Sequence, residues 1–284
     1  VITFDPSLDG QVITLGGTQL LIDKDLTIDA SALPNGITIS GDVTGDGPTV
    51  DDSRIFEIAT GITATLKGLT ITGGRSGQGG GIFNGAGTLN LTDSTLSNNT
   101  AQYGGALYNA GTSSSAIIER SSLVDNSASA IGGAVYSLGT MTATNTTISG
   151  NTATNAGGGM YVWSSPTTLI HTTIANNDAF GSGGGIGTSS NVNLNIENSI
   201  VAGNTAPSGP DIFKGGGLVI PAGANLIGNN DTVSTDFPEG PLHGTPGTPP
   251  STVDAMLAAL GDYGGPTPTM PPRIGSPAFD AAIG

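Results

Sequence analysis

An all-β solenoid is the architecture expected of this chain: a right-handed parallel β-helix of coils about 25 residues long, with a Pro/Gly-rich C-terminal cap. Three grounds support it. A glycine cluster recurs as "GGGIFN" (79–84), "GGALYN" (104–109), "GGAVYS" (132–137), "GGGMYV" (157–162), "GGGIGT" (183–188) and a faded "GPDIFK" (209–214), with starts 25, 28, 25, 26 and 26 residues apart. A second motif runs between the clusters, as in "LTDSTLSNNTA" (91–101), "IERSSLVDNSA" (118–128) and "ATNTTISGNTA" (143–153). The composition also fits. Glycine accounts for 47 of 284 residues and only 10% of residues are charged, yet 36% are hydrophobic, a mixture of short β-branched strands and tight turns.

Along the chain, residues 1–58 are strand-like but irregular ("VITF", "QVITL", "LTID", "ITIS") and form an N-terminal cap and opening coils. Residues 59–230 hold the repeats. Each unit alternates with period two, as in "TLNLT" (88–92), and has room for three short strands and three turns. Strands of successive coils stack about 4.8 Å apart, so like residues lie over like. Leu91, Ile118, Ala143, Leu169 and Ile196 form one inward column, and Leu96, Leu123, Ile148, Ile174 and Val201 another. A third inward column follows the glycines: Ile82, Leu107, Val135, Met160, Ile186 and Ile212. Asn99, Asn126, Asn151, Asn177 and Asn204 recur at a bend, where each side-chain amide can bond the next. Crossover chirality gives the right hand. Residues 231–284 change to Pro and Gly ("PEGPLHGTPGTPP") and form a capping, anchor-proximal segment. Within it "STVDAMLAALGDYGG" (251–265) reads as one short helix. Leucine-rich repeats are excluded by the period and the missing Leu grid, and helical solenoids by the Gly/Thr/Asn content.

The repeat "ATNTTISGNTA" followed by "GGGMYV" resembles the polymorphic outer-membrane-protein type of β-helix repeat of bacteria. The opening "ITFDPSLDGQVITL" and "DKDLTIDASALPNGITISG" are similar to the start of bacterial extracellular β-helix proteins. The ending "LGDYGGPTPTMPPRIGSPAFDAAIG" is similar to the choice-of-anchor segment that precedes surface anchors. The resemblance covers nearly the whole chain. It implies a secreted or cell-surface bacterial protein and no particular activity. No anchor follows the last residues given, and Val1 is not an initiator Met.

The charge balance narrows the function. Seven Lys and Arg against 22 Asp and Glu, a net −15, disfavour nucleic acid as a partner. No apolar run approaches the length of a membrane helix, so no membrane span is expected in this chain. With no cysteine there is neither disulfide nor thiolate chemistry. One strip carries acid, base and cation together: Asp93, Arg120, Asn145, His171 and Asn198. A polysaccharide lyase or glycoside hydrolase would use Asp93, Arg120 and His171 there. Against it, Asp93 and His171 are three coils apart, about 14 Å at the usual strand spacing. A turn column that prefers Asn and Asp explains the same residues. Phe83, Tyr108, Tyr136 and Tyr161 form an outward column, with Trp163 near and a gap at Gly187. Such a strip suits a polysaccharide or another surface protein, or else stacks on itself. "GDVTGDG" (41–47) sets Asp42, Thr44 and Asp46 at the alternate positions of a calcium loop, without the closing Glu. No other cofactor is expected.

The leading expectation is therefore a non-catalytic structural or adhesive β-helix, with a carbohydrate-cleaving or carbohydrate-binding module as the alternative. The opening "VITF" lacks Lys or Pro to block edge pairing, so head-to-tail self-association into fibres is also expected.

Overall fold

The computed structural model describes residues 1–45, 52–238, 240–243, 252–279 and 281. Every named strand pair in it is parallel, and no α-helix occurs among the described residues. One complete coil shows how sequence becomes shape. Thr88–Thr92, Thr95–Ser97, Thr100–Tyr103 and Leu107–Ala110 are four short strands, each belonging to a different sheet. The four sheets hold nine, nine, five and eight strands. The fourth short strand is a departure from the three expected per coil. It arises where "TAQY" and "SASAI" extend the chain beyond the Asn bend, with Thr100 opposite Ser127 and Ala101 opposite Ala128.

Register is fixed by burial, since a slip of one residue would turn each apolar side chain outward. Leu91 pairs with Leu66 and Ile118; Leu123 lies between Leu96 and Ile148; Leu107 pairs with Ile82 and Val135. All are fully buried, and the three inward columns expected from the sequence fill one continuous core. The sharp corners are made by single residues in the left-handed region. One corner column reads Gly68, Asp93, Arg120, Asn145, His171, Asn198 and Gly223, with φ between 45° and 65°. A second reads Gly73, Asn98, Asp125, Gly150, Asn176 and Gly203. Gly, Asn and Asp dominate both because they tolerate that backbone.

Immediately after the second corner comes the buried asparagine ladder. Asn99 Nδ2 donates to Asn126 Oδ1 (3.0 Å), Asn126 to Asn151 (3.0 Å), Asn151 to Asn177 (2.8 Å) and Asn177 to Asn204 (2.9 Å). Each Oδ1 also accepts the backbone N–H of the preceding rung, and each Nδ2 also reaches backbone carbonyls such as Leu96 O and Leu123 O. Buried amides thus find partners for donor and acceptor alike.

Beyond residue 227 the chain does two things. Val233 and Phe237 drop into the core, and Asn230 Nδ2 donates to Phe237 O (2.7 Å). Residues 252–279 instead run outside the solenoid as a strap against the second sheet. The helix expected over 251–265 does not form in its described part, 252–265. Met256 sits at φ 47°, and the strap folds back in a hairpin, with Leu257 opposite Pro272 and Gly261 opposite Thr269. The Ala/Leu-rich run is too short to be a stable helix alone, and packing of Ala255 and Leu257 on Ala202 and Leu226 overrides its propensity. Ser122 Oγ donates to Pro268 O, Thr147 Oγ1 lies 3.2 Å from Thr269 Oγ1, and Thr267 Oγ1 donates to Arg120 O (3.2 Å).

Candidate functional site

The residues expected to carry chemistry fall into three places, and the structure adds a fourth. The first is the corner column. Arg120 forms a two-point ion pair with Asp93, Nε to Oδ1 at 2.8 Å and Nη2 to Oδ2 at 3.1 Å. Hydrogen bonding to Asp93, then its charge, holds the Arg120 guanidinium above its ordinary value. Glu119 stands 3.7 Å from the same guanidinium. His171 is two coils further on, and its Nε2 lies 3.4 Å from Asn198 Nδ2. The structure therefore brings Asp93 and Arg120 together and leaves His171 apart. All three backbones serve the corner, and Arg120 occupies a conformation unusual for its residue type.

The second place is the aromatic column on the outer face of the sheet that follows each glycine cluster. Phe83 pairs with Tyr108, Tyr108 with Tyr136 and Tyr136 with Tyr161 in register. Their rings stack along the solenoid axis, with centroids 5.6, 5.2 and 6.0 Å apart and interplanar angles of 10°, 37° and 25°. Tyr103 joins from the neighbouring sheet, 5.6 Å from Tyr136. Trp163 lies 6.4 Å from Tyr136 and 6.1 Å from Tyr161. The ladder is capped by Arg54, whose guanidinium sits 4.7 Å from the Phe83 centroid. That guanidinium is held by Glu57 (2.9 Å), Gln19 (2.8 Å), Ser76 (3.0 Å) and the carbonyls of Gln78 and Gly79. Burial pushes the Tyr136 hydroxyl up to about 12 and raises Tyr108 and Tyr161 as well. Tyr108 and Tyr136 are buried; Trp163 is 46% exposed.

Third, the acidic turn. Asp42 Oδ1 accepts the Gly45 N–H (2.7 Å), and Asp52 Oδ1 accepts the Val43 N–H (2.9 Å). Asp46 lies outside the described residues, as does Asp51. Among the described residues no three His, Cys, Asp or Glu side chains gather into a metal-binding group. Of the expected calcium-loop residues, Asp42 and Thr44 fall among the described ones.

The fourth place was not singled out in the sequence. Asp211, in the faded repeat "GPDIFK", is buried at the end of the asparagine ladder. Its Oδ1 accepts from Asn204 Nδ2 (2.8 Å) and N (3.1 Å), and its Oδ2 from Asn229 N (2.6 Å). The two bonds from Asn204 are those that the next asparagine of the ladder would accept; the bond from Asn229 is an addition. Burial outweighs them and pushes the carboxyl up to about 7. Asp211 lines the cavity of about 540 Å³ between the last coils and the strap, with Asp254 and Met270 among its neighbours. The signal was an acid at a position that is glycine or alanine in every clear repeat.

Comparison with known proteins agrees with this architecture. No curated protein and no solved structure matches the chain. The family model described as "Right handed beta helix region" matches residues 82–244, more than half of the sequence, and spans the asparagine ladder, the aromatic column and the closing Phe237. The chain belongs to the right-handed β-helix family.

Proposed function

We propose that this β-helix is a non-catalytic structural and adhesive module of a bacterial surface or secreted protein. One observation carries the reading: the outward columns that could bear chemistry are engaged with one another. Asp93 is paired with Arg120, and the aromatic rings are stacked or tilted against one another. His171 lies against Asn198, two coils from Arg120. Glycosidic hydrolysis in its usual form needs two carboxyl groups roughly 5–9.5 Å apart across the bond. The corner column itself holds one carboxylate, Asp93, and the nearby Glu119 faces the same Arg120 guanidinium, so both acids are turned to one cation. The resemblance of the repeats and ending to bacterial surface proteins supports the location.

Association end to end is part of the proposal. Ile2, Ile13 and Leu20 stand in the inward columns, opposite the buried Ile28, Ile39 and Phe56, yet are 46%, 38% and 40% exposed. Apolar inner faces of this kind favour contact with another β edge.

The test is a cleavage screen on neutral and acidic polysaccharides, following reducing ends and unsaturated products together. No turnover is expected. Turnover lost on His171→Ala or Arg120→Ala would overturn the reading in favour of a lyase or hydrolase built on the corner column.

A further inference from the structure

Most ring faces of the aromatic column are covered. One face of Phe83 meets Arg54 and the other Tyr108. Tyr108 lies between Phe83 and Tyr136, and Tyr136 between Tyr108 and Tyr161. The succession stops at Tyr161. The next residue in register is Gly187, and Phe213 follows one coil later. A Cβ at Gly187 would lie 2.6 Å from the Tyr161 ring, so the ring leans over that glycine and only glycine admits it there. The flanking column thins at the same level, where Ile131 gives way to Ala156 and then Ser182. Trp163 borders this step. Its backbone is tied on both sides, its N–H donating to Ser137 O (2.8 Å) and its carbonyl accepting from Ser189 Oγ. A held tryptophan, half in solvent, thus stands beside Tyr161, the end of the ladder that, among the described residues, no cation covers as Arg54 covers Phe83.

We propose that this shoulder, made by Tyr161 and Trp163 above Gly187, binds a pyranose ring of a neutral polysaccharide. Aromatic faces carry negative quadrupole density, and the C–H face of a sugar is their complement. Ring surface of this kind gives contact area at little conformational cost, because each ring has only two side-chain torsions. The hydroxyls of Ser164 and Ser189 donate to Leu138 O and Trp163 O, so toward a sugar hydroxyl they would serve as acceptors. Charge selects neutral over acidic sugars. The chain carries −15, and Lys214, in register with Thr188, is already paired with Asp236 at 2.8 and 3.0 Å.

This inference rests on the adhesive reading and can fail without it. Trp163 is the sole tryptophan, so its emission reports the site directly. The full chain is titrated with cellohexaose, mannohexaose and maltohexaose, with hexagalacturonate and choline as charged probes, and product formation is followed in parallel. A saturable emission change with at least one neutral oligosaccharide is expected. Retardation in gels containing the matching polysaccharide should weaken more than about tenfold in Trp163→Ala. Trp163→Phe should keep part of it, and Tyr263→Ala, which removes an exposed ring on the strap, all of it. No response to any neutral probe, retention undiminished in Trp163→Ala, or tighter binding of hexagalacturonate or choline overturns the site. Products in the parallel assay would instead overturn the non-catalytic reading.

Discussion

Single residues differ sharply in what their loss would do. Leu123 is fully buried between Leu96 and Ile148, with rigid strands on either side. Leu123→Ala should cost about 2–5 kcal/mol, read as a lowered denaturant midpoint, because stacked strands cannot collapse into the space. Asp211 behaves differently, through pH. Its folded carboxyl titrates at about 7, above the ordinary carboxylate value. The protonated form is therefore the one the fold favours. Its contribution is present in full below the ordinary carboxylate range and is lost as pH rises towards 7. Asp211→Asn should flatten this part of the stability profile in melts between about pH 4 and pH 8. It also places an amide where Asn229 N–H needs an acceptor, so the variant should be less stable in acid than the parent. An unchanged slope would mean that another group governs it.

At the scale of elements, the ladders and the strap obey different logic. Asn126 serves two rungs: it accepts from Asn99 and donates to Asn151, Leu96 O and Val124 O. Asn126→Leu should cost at least about 2 kcal/mol, since several buried polar groups lose partners at once. The strap rests on hydroxyls and a small cluster of Ala202, Leu226 and Ala255 outside the main core. Truncation before residue 252 should leave the far-ultraviolet spectrum of the coils intact. It should raise hydrogen exchange around Ser122, Thr147 and Ser149, which the strap covers. This contrast explains what could be read in advance. The columns were legible because each repeats a residue type at a fixed interval, as Leu96, Leu123 and Ile148 do. The corner role of Asp93, Asn145 and Asn198 was legible for the same reason. The strap occurs once, and nothing local in "PTPTM" (266–270) says that Pro268 and Thr269 meet Ser122 and Thr147, 146 and 122 residues earlier in the chain. Asp211 stayed hidden because its meaning comes from Asn204 and Asn229, not from its own neighbours. The fourth short strand was missed because "TAQY" and "SASAI" have too few apolar residues to show a period.

For the whole molecule, charge and shape oppose each other. The net −15 keeps copies apart, while the exposed inner faces of Ile2, Ile13 and Leu20 favour contact. Added salt shortens the reach of the repulsion to about 8 Å at physiological strength and less above it. Light scattering should therefore show mass rising with salt, and Ile13→Lys should abolish the rise. A monomer at every salt concentration would remove end-to-end association from the proposal. The strap adds a constraint of another kind. Identical rungs give a solenoid no inherent length: a coil could be gained or lost between Asn99 and Asn204 and every remaining amide would still find its neighbour. The strap is fastened at one end to Gly228 and at the other to Arg120 and Ser122, so it spans a set number of coils. Remove one coil between those points and its tip overshoots its hydroxyl partners by one strand spacing. It acts as a ruler laid along a stack of interchangeable parts, and it permits only one count.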